Sequence, residues 1–347
     1  MSKKFDGLLF ATIVALGAIS ILTIFAANRS LGLNQFIFWI LGLGIFFFFS
    51  NFYYPNWYKI ALPFYFVTTI TLVVVFILGD PVRGSVRWFD LGIFRFQPSE
   101  IAKVGSILLL SSFYLKRSAQ KINNLIISFL IVIPTFILIF IEPDIGSAVA
   151  IIAIWLGISF AAGLKIEHLL AVTLSFALLS VIAYELLAPF QKERIATFLA
   201  PQRDPLGAGY NIIQSQIAVG SGQIFGRGLG RGPQSQLNFL PESESDFIFA
   251  SIAEQLGLVG AFLVIFLSTT LIIRLLIITK EGERFGQLII IGIISLLIYQ
   301  FTVNVGMNIG IVPVTGITLP LTSYGGSSLV STLLLLAIAF SIKRQQY

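Results

Sequence analysis

Long apolar stretches recur along the chain from Phe5 to Ile342, separated by short polar segments. At about 20 residues per membrane crossing, they predict ten helices, at 7–27, 34–54, 58–78, 98–115, 123–141, 145–162, 167–188, 246–273, 286–307 and 325–342. The pattern is that of an all-α polytopic membrane protein. Met1–Lys4 resembles the charged start of a signal peptide, but a first run of about 20 residues with nine more behind it reads as an uncleaved span. No internal repeat or linker marks a second domain, so residues 1–347 read as one membrane domain. Residues 189–245 are too many for a structureless connection. Within them Ile212, Ile213 and Ile217 share a helical face, as in a short interfacial helix. The glycines from Gly220 to Gly232 form neither a dinucleotide fingerprint nor a P-loop and read as a flexible loop.

Composition supports the pattern. Hydrophobic residues make up 56% of the chain and charged residues 11%, against about 25% charged in a soluble domain, which excludes a soluble enzyme on one anchor. There is no cysteine and one histidine, His168, so disulfides, Cys/His zinc sites and cysteine nucleophiles drop out. The net charge of +6 is scattered over loops with no basic run, so nucleic acid is not the partner. Lys3, Lys4, Lys59, Lys116, Arg117, Lys121, Lys165, Arg274, Lys280, Arg284, Lys343 and Arg344 fall on one side of a ten-span arrangement, which places both termini in the cytoplasm. Residues 189–245 then form a large extracellular loop between helices seven and eight. Arg83, Arg87, Arg95, Lys192, Arg194, Arg203, Arg227 and Arg231 lie on the outward side. They are either tolerated loop charge or a means of attracting an anionic, lipid-linked pyrophosphate.

Ionisable groups within spans are costly and therefore informative. Glu100 and Lys103, three apart behind Gln97-Pro98-Ser99, share a face. They either fix helix packing or line a cavity. Asp144 caps a helix, or with Glu142 offers oxygens to a divalent cation. Glu242, Glu244 and Asp246 put three carboxylates at the lip of the eighth span. They would raise one another's pKa and suit a general base, although Asp246 also fits a plain cap. Residues 311–328 mix breakers with hydroxyls and predict an irregular segment lining the same cavity. Asn304 and Asn308 share a face towards it.

In chain order the motifs are Arg87-Trp88, Gln97-Pro98-Ser99-Glu100-Ile101-Ala102-Lys103, Glu142-Pro143-Asp144-Ile145-Gly146, Arg194-Ile195, Asp204-Pro205 and Gly209-Tyr210. They continue with Leu240-Pro241-Glu242, Asp246-Phe247-Ile248-Phe249-Ala250, Pro313-Val314-Thr315-Gly316 and Ser323-Tyr324-Gly325-Gly326-Ser327-Ser328. This series resembles the SEDS family (shape, elongation, division and sporulation) over nearly the whole chain. Residues 234–242 are closer to its RodA branch than to its FtsW branch. Departures from the family pattern are Glu244 where a His is usual, Gln255 for Glu and Thr318 for Pro; the missing His bears on pH dependence.

The resemblance implies a ten-helix bacterial cytoplasmic-membrane glycosyltransferase that polymerises lipid II into peptidoglycan strands outside the membrane, for elongation and rod shape. It also implies a class B penicillin-binding protein and other elongation-complex membrane proteins as partners. Asp246 stands at the position of the general base. Arg87, Glu100, Lys103, Asp144, Arg194, Ser323 and Tyr324 are the expected substrate-binding residues, and a divalent cation, Mg or Mn, is left open. Direct displacement would invert the sugar carbon. The rival reading is a lipid II flippase or another transporter. The crowding of polar residues on the outward side and the lack of paired broken helices argue against it.

Overall fold

The computed structural model describes all residues except 1–5, 83–84, 91, 93–94, 187–191, 193–195, 206, 208, 238 and 346–347. The side chains of 80–82, 85–86, 176–177, 179–183, 186 and 281 are also outside the description. Each of the ten predicted stretches coincides with a helix. The first two, α1 (Gly7–Ala27) and α2 (Arg29–Ser50), form a hairpin with a one-residue hinge. Asn28 ends α1 in an extended conformation, and its Oδ1 accepts the N–H groups of Ser30 and Leu31. This cap starts α2 ahead of its apolar window, because hydropathy does not register the capping residue.

The helix α3 (Asn56–Leu78) leads into a feature the all-α expectation lacked. Three short antiparallel strands, β1 (Asp80–Val82), β2 (Ser85–Asp90) and β3 (Arg95–Phe96), pair in that order, with Asp80 opposite Trp88 and Phe89 opposite Phe96. The segment alternates polar and apolar residues with the period of a strand, a signal that a span-length window averages away. Beyond it come α4 (Pro98–Tyr114), α5 (Ile122–Ile141), α6 (Ile145–Ala161) and α7 (Ile166–Leu186). The long connection holds α8 (Tyr210–Ser221), over the predicted short helix, and one turn, α9 (Pro233–Gln236). The chain closes with α10 (Ile248–Glu281), α11 (Arg284–Asn308) and α12 (Gly326–Gln345).

Among the described residues seven helices (α1, α2, α3, α5, α10, α11 and α12) are long and apolar enough to cross a membrane. The chain is a multi-pass membrane protein. Helices α4 and α12 run through its middle and are buried on nearly every side. They carry small and hydroxylic residues, such as Ser106, Ser111, Ser331 and Thr332, that let neighbours approach closely. The outer helices instead present Phe48, Phe66, Ile77 and Leu130 to the surroundings, as lipid-facing positions require.

The bundle has two distinct ends. Asp6 receives Arg274 Nη2 at 2.7 Å and also Lys343 Nζ, which brings both chain termini to one end. The sheet, the turn at 142–144, helices α8 and α9 and the irregular stretch 309–325 gather at the other.

Candidate functional site

At the end opposite the termini, the turn before α10 presents Asp246, half-buried. Its main-chain carbonyl accepts Asn304 Nδ2 at 3.0 Å and Asn308 Nδ2 at 3.1 Å. Asn304 also donates to Ile317 O, and Asn308 Oδ1 accepts the Ala250 N–H. Both amides are completely buried. The face shared by these asparagines, legible in their spacing, therefore ties three chain segments together at the aspartate. Asn308 is itself fixed by Ser215 Oγ of α8, 2.8 Å from its carbonyl.

From the other side the irregular stretch closes on the same turn. Ser323 Oγ donates to Ser245 O at 2.7 Å, and the Tyr324 N–H donates to Glu244 O. Ser323 and Tyr324 are thus brought to Asp246, and these bonds hold backbone. Gly316, at φ +72°, passes so close that a Cβ there would stand 3.4 Å from Asp246 Oδ2. Gln35 and Ser20, polar residues inside apolar windows that sequence reasoning passed over, support this stretch from below. Ser20 Oγ donates to Thr322 O and Gln35 Nε2 to Ser323 O.

The same stretch carries the site across to α6. A Cβ at Gly146 would collide with Ile317, so the start of α6 lies directly against the residue after Gly316. There Asp144 accepts the Ser147 N–H as a helix cap and Gln97 Nε2 at 3.0 Å, while Arg87 Nη1 stands 3.8 Å away. The Arg87 side chain is 30% exposed, and its Nε has no partner among the described residues. Gln97 is held in turn by Ser327 Oγ, which bonds its N–H and the carbonyl of Arg95.

Glu142 is buried, and neither of its carboxylate oxygens accepts a hydrogen bond among the described residues. Burial pushes its pKa up to about 8, the Asp144 charge adds to this, and Arg87 opposes it. Further inside, Lys103 Nζ meets Glu100 Oε1 at 2.8 Å with both side chains buried, and Glu100 Oε2 accepts Ser331 Oγ of α12. Arg83 and Arg194 lie outside the described residues.

A divalent cation at Glu142 and Asp144 is the open expectation from the sequence. Such an ion takes six or more oxygens, yet Asp144 is already engaged with two donors and faces a guanidinium. The remaining acid, Glu142, is buried, and burial disfavours its charged form. Among the described residues no three metal-binding side chains cluster.

The glycine-rich loop after α8, expected to be flexible, closes a break in α10. Gly257 adopts φ 68°, ψ −163°, a backbone region reserved for glycine. The carbonyls of Glu254 and Gln255, which an unbroken helix would pair with Leu258 and Val259, accept the N–H groups of Arg227 and Gly228 instead. Leu258 and Val259 donate to Gln223 O and Ile224 O. Glu254, fully buried, accepts Gln234 N–H, Ser235 N–H and Ser235 Oγ. Its carboxylate thus caps the start of α9.

Residues 5–347 match the family model of FtsW, RodA and SpoVE, described as cell cycle proteins. The peptidoglycan glycosyltransferase MrdB of Escherichia coli K12 is 40% identical over 292 residues, covering 83% of this chain and 79% of that one. Among solved structures, one described as a peptidoglycan synthase complex that coordinates polymerization and crosslinking superposes with a TM-score of 0.87. It shares 30% identity and covers 99% of this chain and 98% of the other. The rod shape determining protein RodA of Thermus thermophilus gives a TM-score of 0.75 at 26% identity with the same coverage.

Proposed function

We propose that this chain, which belongs to the FtsW, RodA and SpoVE family of cell cycle proteins, is a peptidoglycan glycosyltransferase acting in cell-wall synthesis. In this reading it spans the bacterial cytoplasmic membrane ten times with both termini inside. The end bearing Asp246 faces outward, where lipid II is joined into glycan strands. The observation that carries the reading is the convergence on one irregular stretch of Asp246 from one side and of Arg87 with Asp144 from the other.

Chain growth requires a sugar hydroxyl to attack an anomeric carbon while a lipid pyrophosphate departs, inverting that carbon. A hydroxyl is a poor nucleophile at neutral pH, and a positioned carboxylate that takes its proton contributes about 10²–10⁴-fold. Asp246 has this role. The buried asparagines fix its main chain, so that its side chain starts from a defined point. Negative charge then grows on the departing pyrophosphate, and Arg87, with Arg194 from the outward loop, stabilises it. The Glu100 and Lys103 pair shapes the cavity floor. A partner carrying the crosslinking activity, a class B penicillin-binding protein, fits the synthase complex that this chain resembles.

One feature of transporters is present, a broken helix. Its freed backbone groups at Glu254, Gln255, Leu258 and Val259 are all taken by the glycine-rich loop, which leaves none for an ion or transported headgroup. This favours the polymerase over the flippase. The test is purified protein given fluorescent lipid II, alone and with its transpeptidase partner, with strands separated on a gel. Absence of strands in both arms from folded protein would overturn the proposal.

A further inference from the structure

The glycine-rich loop that closes the α10 break also carries the most exposed large apolar side chain among the described residues. Phe225 is 83% exposed and Ile224 beside it 57%. Their height relative to a bilayer follows from α10. The first turns, from Ile248 to Gln255, are buried in protein, and the outward-facing apolar surface begins abruptly at Leu258, Val259 and Phe262. From Leu258 onward the helix rises about 36 Å at 1.5 Å per residue, enough for a hydrocarbon layer of about 30 Å. The bilayer boundary therefore lies at the Gly257 break, where Gln223 O and Ile224 O receive the Leu258 and Val259 N–H groups.

An independent marker gives the same level. The loop and α9 touch the last turn of α1: Gln236 Nε2 donates to Ala26 O at 2.7 Å, and Gly230 packs against the same carbonyl. At 21 residues, α1 spans about 31 Å, so its final turn marks the membrane surface. Arginines cluster there. Arg227 and Arg231 are exposed on the loop, and Arg29, also exposed, stands over the Phe25 ring. An apolar tip flanked by cations at the hydrocarbon boundary suits a bilayer with anionic headgroups.

We propose that the loop 222–231 is a membrane anchor. Ile224 and Phe225 insert into the outward leaflet in continuity with Leu258 and Val259, while Arg227 and Arg231 bind the phosphates of anionic phospholipids. The loop is bonded to the carbonyls of Glu254 and Gln255, on the short rigid segment that begins just after Asp246. Anchoring the loop thereby sets the height of Asp246 above the membrane, where a lipid-linked pyrophosphate is presented. The outward placement rests on the function proposed above, whereas the insertion itself is read without any enzyme activity.

The chain has no cysteine, so single cysteines can carry a nitroxide. Phe225→Cys is compared with Phe262→Cys as a lipid reference and Lys116→Cys as an aqueous one, in nanodiscs of phosphatidylcholine with and without phosphatidylglycerol. Collision with oxygen and with a water-soluble nickel chelate reports depth. Position 225 should favour oxygen, as 262 does. A nickel accessibility equal to that of 116 would overturn insertion, as would shielding that appears only when a transpeptidase partner is added, since the surface would then be a protein contact. Phosphatidylglycerol should deepen position 225, and the Arg227→Gln, Arg231→Gln double variant should lose that shift. An unchanged shift would refute the headgroup contact. The same measurements in an Asp246→Asn background should be unaltered, which separates this proposal from the polymerase reading.

Discussion

The two ends of the bundle treat a buried carboxylate in opposite ways. At the end carrying the termini, Asp6 is enclosed by Arg274, Lys343 and the Leu9 N–H. Tyr54 OH donates to Glu283 Oε2 at 2.6 Å, and Arg344 and Gln345 of α12 close on Asn51 and Phe52. At the other end Glu142 is buried with neither carboxylate oxygen accepting a hydrogen bond, whereas a buried guanidinium Nε is left unpartnered at both ends, on Arg274 and on Arg87, among the described residues. Buried polar groups are normally satisfied. A buried carboxylate left unsatisfied gives up stability, and titratable groups perturbed in this way cluster at functional sites. The first end is a clasp, and the second is where we propose the site.

The sharpest test of this contrast is Asp246→Asn, which preserves size but cannot accept a proton. Strand synthesis should fall about 10²- to 10⁴-fold with folding and insertion intact, whereas Asp6→Asn should leave the rate per folded molecule near normal. Near-normal synthesis by Asp246→Asn would remove the distinction between the ends.

Next in size is the buried pair. Glu100→Gln or Lys103→Met leaves one charge uncompensated, at about 3 to 5 kcal/mol when burial is complete. Either change should lower folded yield and melting temperature in detergent. If both variants melt like wild type, the pair is peripheral. A smaller loss, about 1 to 3 kcal/mol, is expected for Gly257→Ala. A Cβ there needs the strained backbone and meets Gly226 N and Ile224 O. Thermal melting decides this as well, and an unchanged midpoint would mean that the break is not obligatory.

The subtlest test uses pH, because the carboxylates at the two ends have pKa values shifted in opposite directions. Burial acts to raise the Asp6 pKa, but hydrogen bonds from Lys343, Leu9 and Arg274 outweigh it, so the group sits below its ordinary 3.8. Its contribution is complete above that value and lost as pH falls through the lowered one. Glu142 is raised by burial from 4.5 to about 8. The unfolded chain releases this proton first, so the Glu142 contribution declines as pH rises from 4.5 towards 8. Melting curves taken from well below pH 3.8 to above pH 8 should show Glu142→Gln losing part of the alkaline decline while Asp6→Asn loses only acid sensitivity. Identical slopes in all three proteins would show that neither carboxylate is linked to folding.

Apolar run length alone set the positions of the helices, because each membrane helix must satisfy its backbone internally and shield it with about 20 apolar residues. The motifs around Glu100, Asp144 and Asp246 were legible for a related reason, since charge at a span boundary is too costly to be incidental. Even the shared face of Asn304 and Asn308 followed from a spacing of four. What the asparagines hold did not, because Asp246 O and Ile317 O reach them through contacts between distant segments. The strands at 80–96 were lost to a window longer than they are. The glycine-rich loop read as flexible because glycines that permit motion and glycines that permit close backbone approach look alike in sequence. Only tertiary structure sets Gly226 against Gln255 and Gly257 against Ile224. Local chemistry is written in the order of residues, whereas the exchange of hydrogen bonds between the loop and α10 exists only once the fold brings both to the same depth.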